Sequence, residues 1–116
     1  MDARAAHAEL GKALFLDVRE PYEWAAGHID DSIHIPLMEL PERYEELPRD
    51  RQVIAVCQIG QRSDLAARFL GEQGFDAHNL EGGLARWEAL QLPFVAETEG
   101  NAQVVDGYAR DFKGLL

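Results

Sequence analysis

The chain has 116 residues, 47% of them hydrophobic and 9% aromatic, with a formal net charge of −10 and a single cysteine. That length supports one core and one domain, while the charge argues against nonspecific nucleic-acid binding and against anionic membrane surfaces, and favours a cationic protein partner. One cysteine cannot close an internal disulfide, no apolar run approaches transmembrane length, and Met1 to His7 lack the apolar core of a signal peptide, so a reducing cytoplasm is the expected location.

Residues from Asp2 to about Gly11 have Ala-rich helical propensity with a stop at Gly11. Ala13 to Val18 is a short, nearly continuous apolar run, which suits a strand covered on both faces of a parallel sheet, and Asp17 interrupts it near its end. Arg19-Glu20-Pro21 then opens a short helix with Pro21 in its first turn, where a missing N–H costs nothing, and Gly27 is its stop. Ile33 to Ile35 reads as a second strand ended by Pro36. From Leu37 to Leu47 the apolar spacing is helical, but Pro41 predicts two short turns or a broken helix.

Val53-Ile54-Ala55-Val56 is the most apolar run, and it stops at Cys57. Gln58, Ile59, Gly60, Gln61, Arg62 and Ser63 follow, and then Leu65, Ala66, Phe69 and Leu70 recur at helical spacing, with an end expected at Gly74. Strand, tight loop, helix is the local order. A thiol at the end of a strand and under a helix N-terminus faces backbone N–H groups that lack an intrahelical partner, a setting that favours the nucleophilic thiolate over the buried, inert cysteine of many cores. Asp76 to Leu80 supplies another short strand, Gly82-Gly83 introduces a helix over Leu84–Leu90, and Pro93 closes it. Glu97 to Asn101 is a polar linker, after which Val104, Val105, Tyr108 and Phe112 resume an apolar stripe. Short strands alternating with helices predict an α/β domain with a mainly parallel sheet, helices on both faces, and a ligand site beyond the carboxyl ends of the strands.

Three segments in this order resemble the single-domain rhodaneses, or thiosulfate sulfurtransferases: Leu16-Asp17-Val18-Arg19-Glu20 with Glu23 and Gly27-His28-Ile29 through Ile35-Pro36; Cys57 to Ser63; and Gly82-Gly83 with Trp87. The matched region runs from about residue 14 to 93, inside an expected domain over 1–96, with 97–116 as linker and tail. The resemblance implies that Cys57 is the nucleophile and that Cys57 to Arg62 is a loop whose amides cradle a persulfide sulfur, with Gln58, Ile59, Gly60, Gln61, Arg62 and Ser63 as substrate-binding positions. It implies no metal and no organic cofactor. The partners it implies are a small sulfur donor, thiosulfate or a persulfide, and a thiol, protein thiol or cyanide acceptor.

Asp17 and Arg19 resemble the family's strand-end pair and are given a supporting role beside the loop. His28 and His34 flank a strand without metal-ligand companions and are read as structural, and Trp87 as core. Two departures stand out. Asp31-Ser32 replaces the family's Gly-Ala, a change that Asp tolerates in a left-handed turn. The loop carries Gln58 and Ile59 where thiosulfate-specialised members have basic residues, leaving Arg62 as its only cation. Two alternatives are kept: a sulfur-relay or regulatory binding module without turnover, and a Cys-dependent phosphatase or arsenate reductase. The latter is disfavoured because only four residues separate Cys57 from Arg62, one fewer than phosphate-wrapping loops require.

Overall fold

Four short strands lie side by side in one parallel sheet: β1 (Leu14–Asp17), β2 (Ile33–His34), β3 (Val53–Val56) and β4 (Ala77–Asn79), in the order β2-β1-β3-β4. The computed structural model describes residues 1–96 and 104–105. All four residues of β1 and of β3 are buried, so the two central strands are covered on both faces, which is why they read as unbroken apolar runs.

Alternation along these strands divides the interior into two cores. Leu14, Leu16, Val53 and Ala55 face one side and pack with Leu40, Ala66, Leu70 and Phe75; Phe15, Ile54 and Val56 face the other and pack with Ala3, Ala6, Leu84 and Trp87. Helices α3 (Leu40–Arg43) and α4 (Gln61–Glu72) therefore lie on the first face, and α1 (Ala3–His7) and α5 (Gly83–Ala89) on the second. Each fully buried aliphatic side chain here contributes roughly 1.5–3 kcal/mol relative to exposure. Trp87 is wholly buried, and its indole N–H donates to the Pro93 carbonyl at 2.9 Å. No helix among the described residues is long and apolar enough to cross a membrane.

The elements depart from the expected bounds in a few places, each with a local cause. The first helix closes at His7 rather than near Gly11, because Glu9, Leu10 and Lys12 bond three residues back in tight turns that lead to Gly11 at φ +83°. Its small apolar face is nonetheless fully used, since Ala3 and Ala6 are buried, and Asp2 caps it by accepting from the Ala5 amide at 2.8 Å. Strand β2 stops at His34, one residue short: Ile35 still donates to the Asp17 carbonyl at 3.0 Å, but Pro36 has no N–H with which to continue. The stretch after it is the expected broken helix, a 3-10 turn (Leu37–Glu39), α3 beginning Leu40-Pro41, and a second 3-10 turn (Tyr44–Glu46). Asp31 takes the left-handed backbone expected of it, at φ +64°.

Helix α2 (Pro21–Ala26) fills the crossover from β1 to β2, with Pro21 in its first turn as expected. His28 and Val95 exchange both backbone hydrogen bonds at 2.8 Å, closing the segment after α5 onto the turn that precedes β2. Of the tail stripe, Val104 packs on the second core, and its N–H donates to Glu88 at 2.7 Å. The linker from 97 to 101 and the stripe positions Tyr108 and Phe112 lie outside the described residues.

Candidate active site at the end of the central strand

The strand register brings Asp17 opposite both His34 and Val56, and Asn79 opposite Ala55, so the carboxyl ends of all four strands open on one edge of the sheet. Cys57 is the first residue past β3 at that edge. Its carbonyl and that of Gln58 are taken by the first amides of α5: Leu84 N–H at 2.8 Å and Ala85 N–H at 2.9 Å. That approach is possible only because residue 83 has no side chain. Gly83 sits at φ +62°, and a Cβ there would overlap the Gln58 carbonyl and stand 2.6 Å from the Ile59 nitrogen.

With those two carbonyls fixed on α5, later groups of the loop converge on the sulfur. Cys57 Sγ accepts from the Gly60 amide at 3.1 Å, the Ser63 amide at 3.3 Å, and lies 3.2 Å from the Ser63 hydroxyl. Gly60 makes the turn at φ +103° and then serves as N-cap of α4, whose first turn supplies Ser63. Cys57 is 1% exposed, and Ser63 is fully buried. Backbone donors fixed around a buried sulfur at the start of a twelve-residue helix stabilise negative charge on that sulfur without a basic side chain.

The remaining predicted positions divide by environment. Gln58 is half-buried, while Ile59 and Gln61 are exposed on the outer side of the loop. The Arg62 guanidinium turns to α2, where it grips Glu23 with Nη1–Oε1 at 2.7 Å and Nη2–Oε2 at 2.9 Å. Glu23 is fully buried, and its Oε1 also accepts from the Glu20 amide at 3.1 Å, so one carboxylate caps α2 and holds the catalytic-loop candidate Arg62. Asp17 and Arg19 form a wholly buried pair, with Arg19 Nε to Oδ1 at 2.9 Å and Nη2 to Oδ2 at 2.7 Å; Nη2 also donates to the Gly27 carbonyl, tying the end of β1 to the end of α2.

The histidines of this edge are engaged elsewhere than at the sulfur: both stack on Trp24, His28 at 3.6 Å and His34 at 4.9 Å between ring centroids. Each bonds a carbonyl, which can only accept: His28 Nδ1–H donates to Trp24 and His34 Nε2–H to Arg19. Among the described residues no group of three His, Cys, Asp or Glu side chains is placed to hold a metal ion.

Two residues at the site escaped the sequence reading. Glu23 stands in sequence only as part of a motif, although a glutamate at the third position of a helix opening Glu-Pro signals a cap. Asn79, the last residue of β4, accepts from the Ser63 hydroxyl at Oδ1 (2.6 Å) and donates from Nδ2 to the Gly60 carbonyl (3.1 Å). Its only sequence signal is a polar residue at the carboxyl end of a strand neighbouring β3.

A sequence profile described as Rhodanese-like domain matches residues 2–90. The chain belongs to the rhodanese-like domain family. Among curated relatives it is 39% identical over 90 residues to a sulfurtransferase of Allochromatium vinosum, covering 77% of this chain and 84% of that one. It is 34% identical over 76 residues to the thiosulfate sulfurtransferase GlpE of Pseudomonas syringae pv. syringae, covering 65% and 72%. The crystal structure of a rhodanese-related protein from Thermoplasma volcanium superposes with a TM-score of 0.80 at 36% identity, covering 82% of this chain and 95% of that one. The single rhodanese-like domain and its parallel sheet thus agree with the fold expected from the three sequence segments.

Proposed function

We propose that this rhodanese-like domain is a sulfurtransferase that carries a sulfane sulfur on Cys57. The observation that supports this reading is the pair of amides that donate to Cys57 Sγ, Gly60 at 3.1 Å and Ser63 at 3.3 Å, in a loop one residue too short to wrap phosphate. The thiolate of Cys57 attacks the outer sulfur of thiosulfate; the Sγ–S bond forms as the sulfur–sulfur bond of the donor breaks, and its electron pair leaves with sulfite. An acceptor thiolate or cyanide then attacks the outer sulfur of the persulfide, and Cys57 departs as thiolate. Dividing the transfer in two is covalent catalysis, and the leaving groups, sulfite and a thiolate, depart as anions without a proton donor.

In this reading Gly60 and Ser63 hold the charge, Gln58, Ile59 and Gln61 line the outer approach, and Arg62 is positioned through Glu23. Asp17 and Arg19 fix the neighbouring strand end. The donor is thiosulfate or a persulfide, and the acceptor a small or protein thiol. Incubation with thiosulfate followed by intact mass spectrometry is expected to show one added sulfur, removed by cyanide, and none on Cys57→Ser, whose circular dichroism should match the parent. A parent protein that gains no sulfur from thiosulfate or from a small-molecule persulfide would overturn the proposal, as would a Cys57→Ser variant with parental turnover.

A further inference from the structure

The hydroxyl of Ser63 has one proton and two acceptors. Asn79 Nδ2 faces the Gly60 carbonyl, which can only accept, so the oxygen facing Ser63 is Oδ1, which can only accept as well. At 2.6 Å the Ser63 O–H is therefore directed at Asn79 Oδ1, and at 3.2 Å the hydroxyl oxygen turns a lone pair toward Cys57 Sγ. That orientation forfeits little beside a sulfur that carries no charge, because a neutral sulfur is a poor acceptor. It opposes a thiolate, toward which the hydroxyl gains by rotating its proton, since hydrogen bonds to an ionised acceptor are the stronger ones.

We infer that Asn79 is a positioning residue that receives the Ser63 hydroxyl whenever Cys57 Sγ is neutral, so that Ser63 switches between sulfur and amide as the sulfur is loaded and discharged. The inference rests on the sulfurtransferase reading above. In the free enzyme the thiolate takes the proton of the hydrogen bond from Ser63. When the new Sγ–S bond forms, the negative charge moves to the outer sulfur, Sγ becomes a neutral sulfide, and the hydroxyl returns to Asn79. Ser63 is fully buried, so without Asn79 its hydroxyl would be left in the loaded state with no good acceptor. Asn79 therefore favours the persulfide over the thiolate, and the equilibrium of loading depends on it.

The test is the loading equilibrium, read by intact mass as the persulfidated fraction across a series of thiosulfate-to-sulfite ratios. Removing the acceptor in Asn79→Leu is expected to lower the loading constant by about tenfold, whereas Asn79→Asp, which keeps an oxygen facing Ser63, stays within about threefold of the parent. In the Ser63→Ala background, where there is no hydroxyl to receive, Asn79→Leu should change the constant by less than about twofold. Asn79→Ala, which adds no bulk beside Gly60, repeats the cycle. Parental loading by Asn79→Leu and Asn79→Ala overturns the inference, and so does an equal loss with and without the Ser63 hydroxyl, which would assign the effect to the Gly60 tether. A parent protein that takes no sulfur from either donor class overturns the functional reading and this inference together; a parent that loads normally separates the two.

Discussion

Arg62 and Glu23 stand 39 positions apart in the chain and meet in a two-pronged ion pair of 2.7 and 2.9 Å, the arginine a quarter exposed and the glutamate not at all. The pair joins the start of α4 to the start of α2, and so fixes the loop of Cys57 to the crossover beside it. It also offsets the only cationic side chain of the loop with a carboxylate.

The first prediction concerns that carboxylate. Arg62→Ala leaves Glu23 buried without its counter-charge, so unfolding free energy should fall by about 2–3 kcal/mol, below the usual cost of breaking a buried pair because Arg62 keeps some contact with water. The double variant Arg62→Met with Glu23→Met should recover most of the loss. Urea denaturation of the three proteins checks it; equal midpoints for Arg62→Ala and the parent would show that the pair adds nothing to the fold.

Gly83 carries the second prediction. A methyl at residue 83 would collide with the Gln58 carbonyl and the Ile59 nitrogen, so Gly83→Ala must push the loop off α5 and misplace the amides that face Cys57. Sulfur loading is expected to slow by about tenfold to a hundredfold, the scale of a displacement of an ångström or less in a preorganised site. Stopped loading reactions analysed by mass give the rate. A variant that loads at the parental rate would mean that the α5 contacts do not set the geometry of the sulfur.

How far the sequence discloses this site follows from the range of each interaction. The apolar run into Cys57, the glycine at the turn and the amphipathic helix after it are local, and the loop was legible from them. The Arg62–Glu23 pair and the Asn79–Ser63–Gly60 links join segments 16 to 39 residues apart, and no periodicity encodes them. Asp17 and Arg19 show the same limit in another form: two charges at a strand end look solvated in sequence, yet both are fully buried, each the other's counter-charge, with Arg19 Nη2 also donating to the Gly27 carbonyl. In helix α1 the alanines carry little hydrophobic signal in sequence, yet Ala3 and Ala6 are buried in the second core.

The third prediction tests the tail. Val104 packs against the second core, as Leu90, Leu92 and Phe94 do, and donates its N–H to Glu88. We propose that residues 97–116 form a linker and a segment that docks on the domain at this point. Truncation after Asn101 is then expected to lower the melting temperature by about 3–6 °C, the scale for one half-buried aliphatic side chain and one hydrogen bond in a domain of this size, with sulfur loading unchanged. Differential scanning calorimetry decides it, and an unchanged melting curve would show that Val104 contributes nothing.

The last prediction rests on charge. Thiosulfate is a dianion approaching a protein of net charge −10, and the one cation of the loop, Arg62, is already held by the Glu23 carboxylate. Attraction at the site therefore comes chiefly from the Gly60 and Ser63 donors, which act at hydrogen-bond range and steer nothing from a distance. Capture should be weak and KM high, while the sulfur-transfer step itself remains competent because those donors meet the charge as it develops. Ile59 is half-exposed and Gln58 half-buried, so Gln58→Arg with Ile59→Lys adds two cations on the outer side of the loop. The expected result is a rise in kcat/KM for thiosulfate of about tenfold at low ionic strength, carried by KM and shrinking as salt shortens the range of the added field to about 10 Å at 0.1 M. A persulfide donor of lower charge should gain less, which separates steering from a general improvement of the loop. Equal kcat/KM for parent and variant across the salt series would show that loop charge does not limit capture, and the expectation of a high KM for thiosulfate would lose its physical basis.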